Sequence, residues 1–197
     1  PMDSRRNVIR GEESAMGNLI ADAIRAATGA DIGFANGGGI RADRTYDPGT
    51  VLTRKDILTE LPFGNKTVLT ELPGSQILAA LENGVSQHEK GAGRFLQVSG
   101  VSYAFDPTAP AGSRVSEVMV GGAPLDAGKV YRLATNDFIL GGGDGFAALG
   151  GGKVIIDPKK DVGRAVAALV EVYGEDAETD TPLVTAWLAR PGCRTRT

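Results

Sequence analysis

Three loops of this chain carry residue types that suit the binding of a polar ligand. In Asn36-Gly37-Gly38-Gly39-Ile40-Arg41, consecutive glycines can turn several N–H groups into one concavity, with a neutral donor in Asn36 and a cation in Arg41 beside them. That chemistry fits a polar or anionic ligand. It equally fits a flexible turn ending in a surface arginine, because the run is neither a Walker nor a Rossmann pattern. The second loop, Asn136-Asp137-Phe138-Ile139-Leu140-Gly141-Gly142-Gly143-Asp144-Gly145-Phe146, encloses the acid Asp144 between glycines, with one aromatic ahead of the turn and one after it. A ring held on such a loop can stack on a base, or it can pin the loop to the core. In the third, Leu61-Pro62-Phe63-Gly64-Asn65, Phe63 stands between a rigid proline and a permissive glycine, which suits a turn anchor as well as a binding platform.

What the chain lacks narrows the chemistry further. His88 is the only histidine, whereas hydrolytic metal centres commonly use His ligands and many acyl-transfer sites use a His base. A serine hydrolase is disfavoured for the same reason, and no Gly-x-Ser-x-Gly elbow is present. His88 itself lies in Gln87-His88-Glu89-Lys90, all polar, and is expected at an exposed helix end. The formal net charge is −3 with Lys and Arg scattered in ones and twos, which gives no sign of a cationic face of the kind that binds nucleic acid. No apolar run approaches the ~18–20 residues that cross a bilayer, and the opening PMDSRRNVIR lacks the apolar core of a signal peptide. Cys193 stands alone and gives no internal disulfide.

The loops need a scaffold, and 197 residues, 42% apolar and 23% charged, suffice for one well-buried domain over residues 1–197. Met16, Leu19, Ile20, Ala23, Ile24 and Ala27 recur at three- and four-residue steps before Gly29, which predicts an amphipathic helix with a glycine stop. The apolar run 31–35 reads as a buried strand emptying into the Asn36–Arg41 loop. Segments 67–72, 101–105, 115–120 and 130–135 are rich in β-branched and aromatic residues and read as strands. A helix is expected over 75–85, and two more over 161–173 and 181–189, the last capped by Thr181 with Pro182 in its first turn. The acidic run 175–180 reads as a solvated loop. Strands and helices that mix without strict alternation predict an α+β fold of mixed α/β layers.

Order and wording together go further than any one loop. Arg10 with Glu13, Met16-Gly17-Asn18-Leu19-Ile20-Ala21-Asp22-Ala23, then residues 36–41, Leu61-Pro62-Phe63, Phe95-Leu96-Gln97-Val98-Ser99-Gly100, and Asn136-Asp137-Phe138 with Gly142-Gly143-Asp144-Gly145-Phe146 closely resemble the C-terminal domain of 5'-nucleotidases. The resemblance spans about 10–146. It implies a nucleoside pocket in which Phe63 and Phe138 form two faces of an aromatic clamp on the base, stacking worth ~1–3 kcal/mol per base and tolerant of base identity. Arg10 and Arg41 resemble the family arginines on the phosphate side, Asn36 and Gly39 its base and loop contacts, and Asp144 the acid that holds the ribose hydroxyls. Each role suits its residue: guanidinium forks match phosphate oxygens, and a carboxylate accepts from a diol. Asn65 is a weaker candidate for a base-edge contact. Asn18, Asp22 and Gln97 are read as structural.

In that family an N-terminal calcineurin-like domain holds two divalent metal ions and the catalytic Asp–His pair. Its Asp-x-His, Gly-Asn-His-Glu and Gly-His-x-His segments are absent here, so the resemblance implies a substrate-holding piece with no cofactor of its own, acting beside a metallophosphatase domain in cis. The expected reaction is hydrolysis of nucleoside 5'-monophosphates to nucleoside and phosphate, in a periplasmic, cell-surface or secreted setting, with this part inactive alone. The two Phe residues in the clamp positions favour nucleoside-type ligands over the sulfonate carrier of the related thiosulfate-oxidation hydrolase. Relatives of this layout leave a 2',3'-cyclic-nucleotide phosphodiesterase or a UDP-sugar hydrolase open. A stand-alone nucleoside-binding module is the reading from another class. In a domain that closes on a partner, Arg10 and Arg41 are expected on one side, towards the facing surface.

Overall fold

The computed structural model describes residues 1–156. The helices expected over 161–173 and 181–189, the acidic run 175–180 and Cys193 lie outside the described residues. The strands are β1 (Met2–Asp3), β2 (Ile32–Asn36), β3 (Thr45–Tyr46), β4 (Thr67–Pro73), β5 (Leu96–Ser99), β6 (Val101–Phe105), β7 (Val115–Val120), β8 (Ala123–Pro124), β9 (Val130–Asn136) and β10 (Lys153–Ile156). The helices are α1 (Arg6–Ile9), α2 (Ala15–Thr28), α3 (Arg54–Glu60), α4 (Gly74–Val85) and α5 (Asp137–Leu140).

A five-stranded mixed sheet in the order β10-β4-β9-β2-β5 forms the centre. Its one parallel pair is β2 with β9; the other pairs are antiparallel. Both faces are covered, which explains why β2 is buried at all five positions rather than alternating. Ile32 and Phe34 enter the core cluster shared with Ile77 and Leu81 of α4. The intervening face, with Ala35, Leu69 and Ala134, packs with Ile20 and Ile24 of α2. Gly33 lets α2 come close, because a Cβ there would stand 2.5 Å from the Ala21 carbonyl oxygen. A second sheet, β6-β7-β8, adds Val101, Tyr103 and Phe105 to the α4 cluster. Helices and sheets in stacked layers are the mixed arrangement that the sequence predicts.

Local signals account for most of the boundaries. Gly29 ends α2 in the left-handed region at φ 62°, where its N–H reaches the Ala26 and Arg25 carbonyls. Thr53 and Asp56 form a reciprocal capping box on α3. Gln97, read as structural, spans one turn of chain: its Oε1 accepts from the Ser14 N–H at 3.1 Å, and its Nε2 donates to the Ile9 carbonyl at 3.1 Å and the Glu12 carbonyl at 2.8 Å. Asp22 accepts from the Ser99 hydroxyl, and Asn18 donates to Glu13 at 2.7 Å.

His88 departs from its expected exposed position. Its neighbours in sequence are polar, but its ring is half-buried, with centroids 5.0 Å from Phe105 and 6.0 Å from Phe95. Its Nε2 lies 2.9 Å from the Gly11 carbonyl oxygen. Partners distant in sequence, not its own segment, decide its surroundings.

Leu81 is fully buried between α4 and the sheet. Leu81→Ala is expected to cost about 2–5 kcal/mol, as a lost side chain plus an unfilled cavity. Urea unfolding would read this as a lower midpoint at unchanged slope.

Candidate functional site

The strand directions alone bring the three loops together. Asn36 ends β2 and Asn136 ends β9, and because these strands are parallel, the loops that follow leave the sheet at the same end. Thr67, at the start of antiparallel β4, pairs with Asn136, so segment 61–66 arrives at that end too. Leu96 pairs with Asn36, which brings in segment 91–95 ahead of β5.

A pocket at this end is lined by Asn36, Gly39, Leu61, Phe63, Asn65 and Asn136, above Ile20 and Ile24 of α2. Three of the sequence-selected residues, Asn36, Gly39 and Phe63, therefore share one cavity, together with the weaker candidate Asn65. Phe138, Arg10, Arg41 and Asp144 are not among its lining residues; Asp144 is bonded to the lining residue Asn36, and Arg41 lies over the lining residue Phe63. Phe63 and Phe138 are 59% and 47% exposed, which is costly for rings unless something covers them, whereas Phe146 is fully buried and is the core anchor of its loop. The two exposed rings sit on stapled segments: the Lys66 N–H donates to Asp137 Oδ1 at 3.0 Å, and the Asp137 N–H donates to the Lys66 carbonyl at 2.9 Å. The Phe138 ring rests on Gly143, where a Cβ would come within 2.5 Å of its Cζ.

Asn136 is the residue that sequence reasoning passed over. Its Oδ1 accepts from the Ile139 N–H at 2.9 Å and caps α5, and its Nδ2 donates to Asn36 Oδ1 at 3.0 Å. Asn36 Nδ2 in turn donates to Asp144 Oδ2 at 2.8 Å. Both ends of the Asn36 amide are thus engaged in placing Asp144. The only signal in the sequence is that each asparagine stands immediately after an apolar strand.

The glycine loop differs from its expected use. The Gly37 and Gly38 N–H groups donate to Phe95 and Gly93 carbonyls, both at 2.7 Å, and the Arg41 N–H donates to the Glu60 carbonyl at 2.8 Å. These donors close the turn against protein and do not form a nest for a ligand. Glycine is needed for close approach: a Cβ on Gly37 would lie 2.3 Å from the Ile9 carbonyl oxygen and 3.3 Å from Arg10 Cγ.

That contact delivers Arg10 to the site. Arg10 is 8% exposed, and its Nε is buried without a hydrogen-bond partner. Burial lowers its pKa, and the charges of Arg6 and Arg41 lower it further, against opposing help from Asp144 and Asp43. Arg10 and Arg41 lie near enough for their charges to act on one another, and Arg10 is packed in rather than laid on the surface. Arg6 joins them, four residues earlier on the same turn of chain, a spacing that places two side chains on one face. A guanidinium stays protonated under such pressure, so this end of the site holds three arginines together with Asp144 and Asp43. The Arg41 guanidinium lies over the Phe63 ring at 5.6 Å, a cation–π contact worth about 0.5–1 kcal/mol when exposed.

Glu60 anchors the arginine loop from below. Fully buried, it accepts from the Tyr46 hydroxyl at 2.9 Å and the Ala42 N–H at 3.2 Å. Burial raises its pKa, against the lowering effect of those hydrogen bonds, and raises that of Tyr46. Among the described residues, no three His, Cys, Asp or Glu side chains gather as a metal-binding group.

The family described as 5'-nucleotidase, C-terminal domain, matches residues 2–151. The trifunctional nucleotide phosphoesterase protein YfkN of Bacillus subtilis is 40% identical over 155 residues, covering 74% of this chain and 10% of that protein. Cell wall protein Lmo0130 of Listeria monocytogenes is 35% identical over 199 residues, covering 87% of this chain and 25% of that protein. The crystal structure of a 5'-nucleotidase precursor from Thermus thermophilus superposes with a TM-score of 0.80 at 43% identity, covering 87% of this chain and 35% of that one. The chain therefore spans between a tenth and about a third of the length of these relatives.

A carboxyl whose folded pKa exceeds its unfolded value favours folding fully below the unfolded pKa, and that contribution is lost as pH rises through the folded pKa. Melting temperature is therefore expected to fall more steeply above the ordinary carboxylate range in the parent chain than in Glu60→Gln. Parallel curves for the two proteins would remove Glu60 from this role.

Proposed function

This chain belongs to the family of 5'-nucleotidase C-terminal domains, and on that premise we propose that it is the part that grips a nucleotide while a companion domain performs the chemistry. The observation that carries the reading is Arg10, held buried with an unpaired Nε and acted on by the charges of Arg6 and Arg41, the last of which lies over the exposed Phe63 ring. Cations that repel one another within a folded site are relieved by an anion, and exposed rings by a flat apolar partner. A nucleotide has both features in one molecule. Arg10 and Arg41 take its phosphate side, Phe63 and Phe138 its base, Asp144 its ribose hydroxyls, and Asn36 with Gly39 shapes the wall between.

The reaction proposed is hydrolysis of a nucleoside 5'-monophosphate to nucleoside and phosphate. It takes place on an N-terminal metallophosphatase domain in cis, whose two divalent metal ions would supply an activated water and stabilise charge on the phosphate. The residues described in this chain do not fit such a centre, so its part is to bind, orient and present. Residues 1–197 are read as a single substrate domain. A location outside the cytoplasm is proposed with it, supported by the cell-wall relative.

Three measurements test this. The purified chain supplied with divalent metal is expected to release no phosphate from AMP; chelator-sensitive release would place the chemistry here. Its affinity for AMP is expected on the order of millimolar, since one stacked base and a few hydrogen bonds leave only a few kcal/mol after association costs. Submicromolar binding would favour a stand-alone sensor. In the full-length protein, Phe63→Ala and Phe138→Ala are each expected to raise KM for AMP about ten- to hundred-fold with a smaller effect on kcat. Unchanged KM in both would make the rings structural.

A further inference from the structure

Asp144 occupies a backbone that does not hold itself. It has φ 53°, between Gly142 at φ 92° and Gly145 at φ 82°, a stretch in which the flanking glycines allow many conformations. A carboxylate two bonds from such a backbone points wherever the backbone puts it. Asn36 fixes the carboxylate from one side. The main chain is fixed from the other, by a group of residues outside the ligand wall.

Asn83, on α4, donates its Nδ2 to the Asp144 carbonyl at 3.2 Å. Its Oδ1 accepts from Arg94 Nη1 at 3.2 Å, and the same nitrogen donates to the Ser86 hydroxyl at 3.1 Å. Ser86 donates its own hydroxyl to the Asn83 carbonyl at 2.7 Å and completes the group. Arginine has donors and no acceptor, so it permits only one orientation of the Asn83 amide, with the oxygen towards Arg94 and the NH2 towards Asp144. The space is closely fitted: a Cβ on Gly145 would stand 3.2 Å from Asn83 Oδ1 and 3.5 Å from both terminal nitrogens of Arg94. Gly93, next to Arg94, approaches the other side, where a Cβ would lie 3.5 Å from Asp144 Oδ2.

We propose that Asn83 and Arg94 are positioning residues for recognition of a ribose diol: Arg94 orients the Asn83 amide, and Asn83 pins the Asp144 main chain so that the carboxylate meets vicinal hydroxyls. This rests on the nucleotide reading above, and within it assigns ribose discrimination to a brace behind the pocket. The hydrogen bonds of the brace reach the Phe138 loop only at its far end, at Asp144, and none runs to the Phe63 segment. Loss of the brace therefore falls mainly on ligands that carry the diol, since the contact it removes is at the Asp144 main chain.

The test titrates the whole chain with AMP and with 2',3'-dideoxy-AMP by NMR, for the parent, Asn83→Ala, Arg94→Ala, Arg94→Lys and Asp144→Asn. Asn83→Ala and Arg94→Ala are expected to weaken AMP about three- to ten-fold, the scale of one or two lost hydrogen bonds, and to leave dideoxy-AMP within about two-fold. Arg94→Lys, which keeps a donor for Asn83 Oδ1, is expected nearer the parent. Equal losses for both ligands would make the brace general fold support, and no loss for either would make it idle; each overturns the inference. If parent and Asp144→Asn bind the two ligands alike, the ribose role of Asp144 fails and the brace fails with it. If the parent binds neither ligand, the nucleotide reading itself is wrong.

Discussion

The site depends on one hydrogen bond between two asparagines at the ends of parallel strands. Asn136 Nδ2 to Asn36 Oδ1, 3.0 Å and buried, joins β9 to β2 where both strands stop. A buried amide is costly unless its donor and acceptor are engaged. Here each amide uses its second end on a loop: Asn136 starts α5 and thereby the Phe138 turn, and Asn36 holds Asp144. Aspartate in place of either asparagine would remove donors and add buried charge, so the pair has little chemical freedom. Two strand ends, a helix start and an acidic side chain are fixed by one chain of hydrogen bonds.

Rigidity of that kind allows Arg10 to remain unsatisfied. A buried guanidinium nitrogen without a partner, beside two further arginines, destabilises the fold, and it persists only where the surrounding chain is over-determined. Gln97 supplies much of that constraint by bonding Ile9, Glu12 and Ser14 around the Arg10 turn, and the Gly37 contact closes it from above. The Arg10 side chain is thus held in place by its surroundings, and under the nucleotide proposal little would have to be ordered on binding an anion.

The sequence made some of this legible and hid the rest for physical reasons. Amphipathic spacing and a glycine stop located α2, a short apolar run located β2, and runs rich in β-branched and aromatic residues located β4, β6, β7 and β9, because those signals are local. Resemblance in order and wording located the loops. Strand β5 was visible only as a motif, and the short β10 as nothing. Pairings that join residues 61, 100 and 108 positions apart leave no periodic trace, so the asparagine chain and the Asn83–Arg94 brace could not be read. The use of the Gly37 and Gly38 N–H groups stayed open between a ligand nest and a turn, because a glycine run indicates freedom without saying what approaches it. His88 misled for the same reason.

The two aromatic jaws differ in what supports them. Phe63 follows Ile57 and Leu61, and with Arg41 it stands over the core cluster on the α2 face of the sheet, where Ile40 and Ile57 are buried. Phe138 precedes Ile139, Phe146 and Leu149, all anchored in the cluster on the α4 face. The sheet thus separates the foundations of the clamp, and the Lys66–Asp137 pair joins the jaws directly at the top. Interiors packed at crystal density deform little, so each jaw follows its own face of the core. The gap between them is set by strand spacing between β4 and β9, which are neighbours paired over their full length from Thr67 to Asn136 through Pro73 to Val130. The placement of the two rings is therefore a property of sheet geometry, with the loops supplying the rings and the ladder beneath them holding the loops.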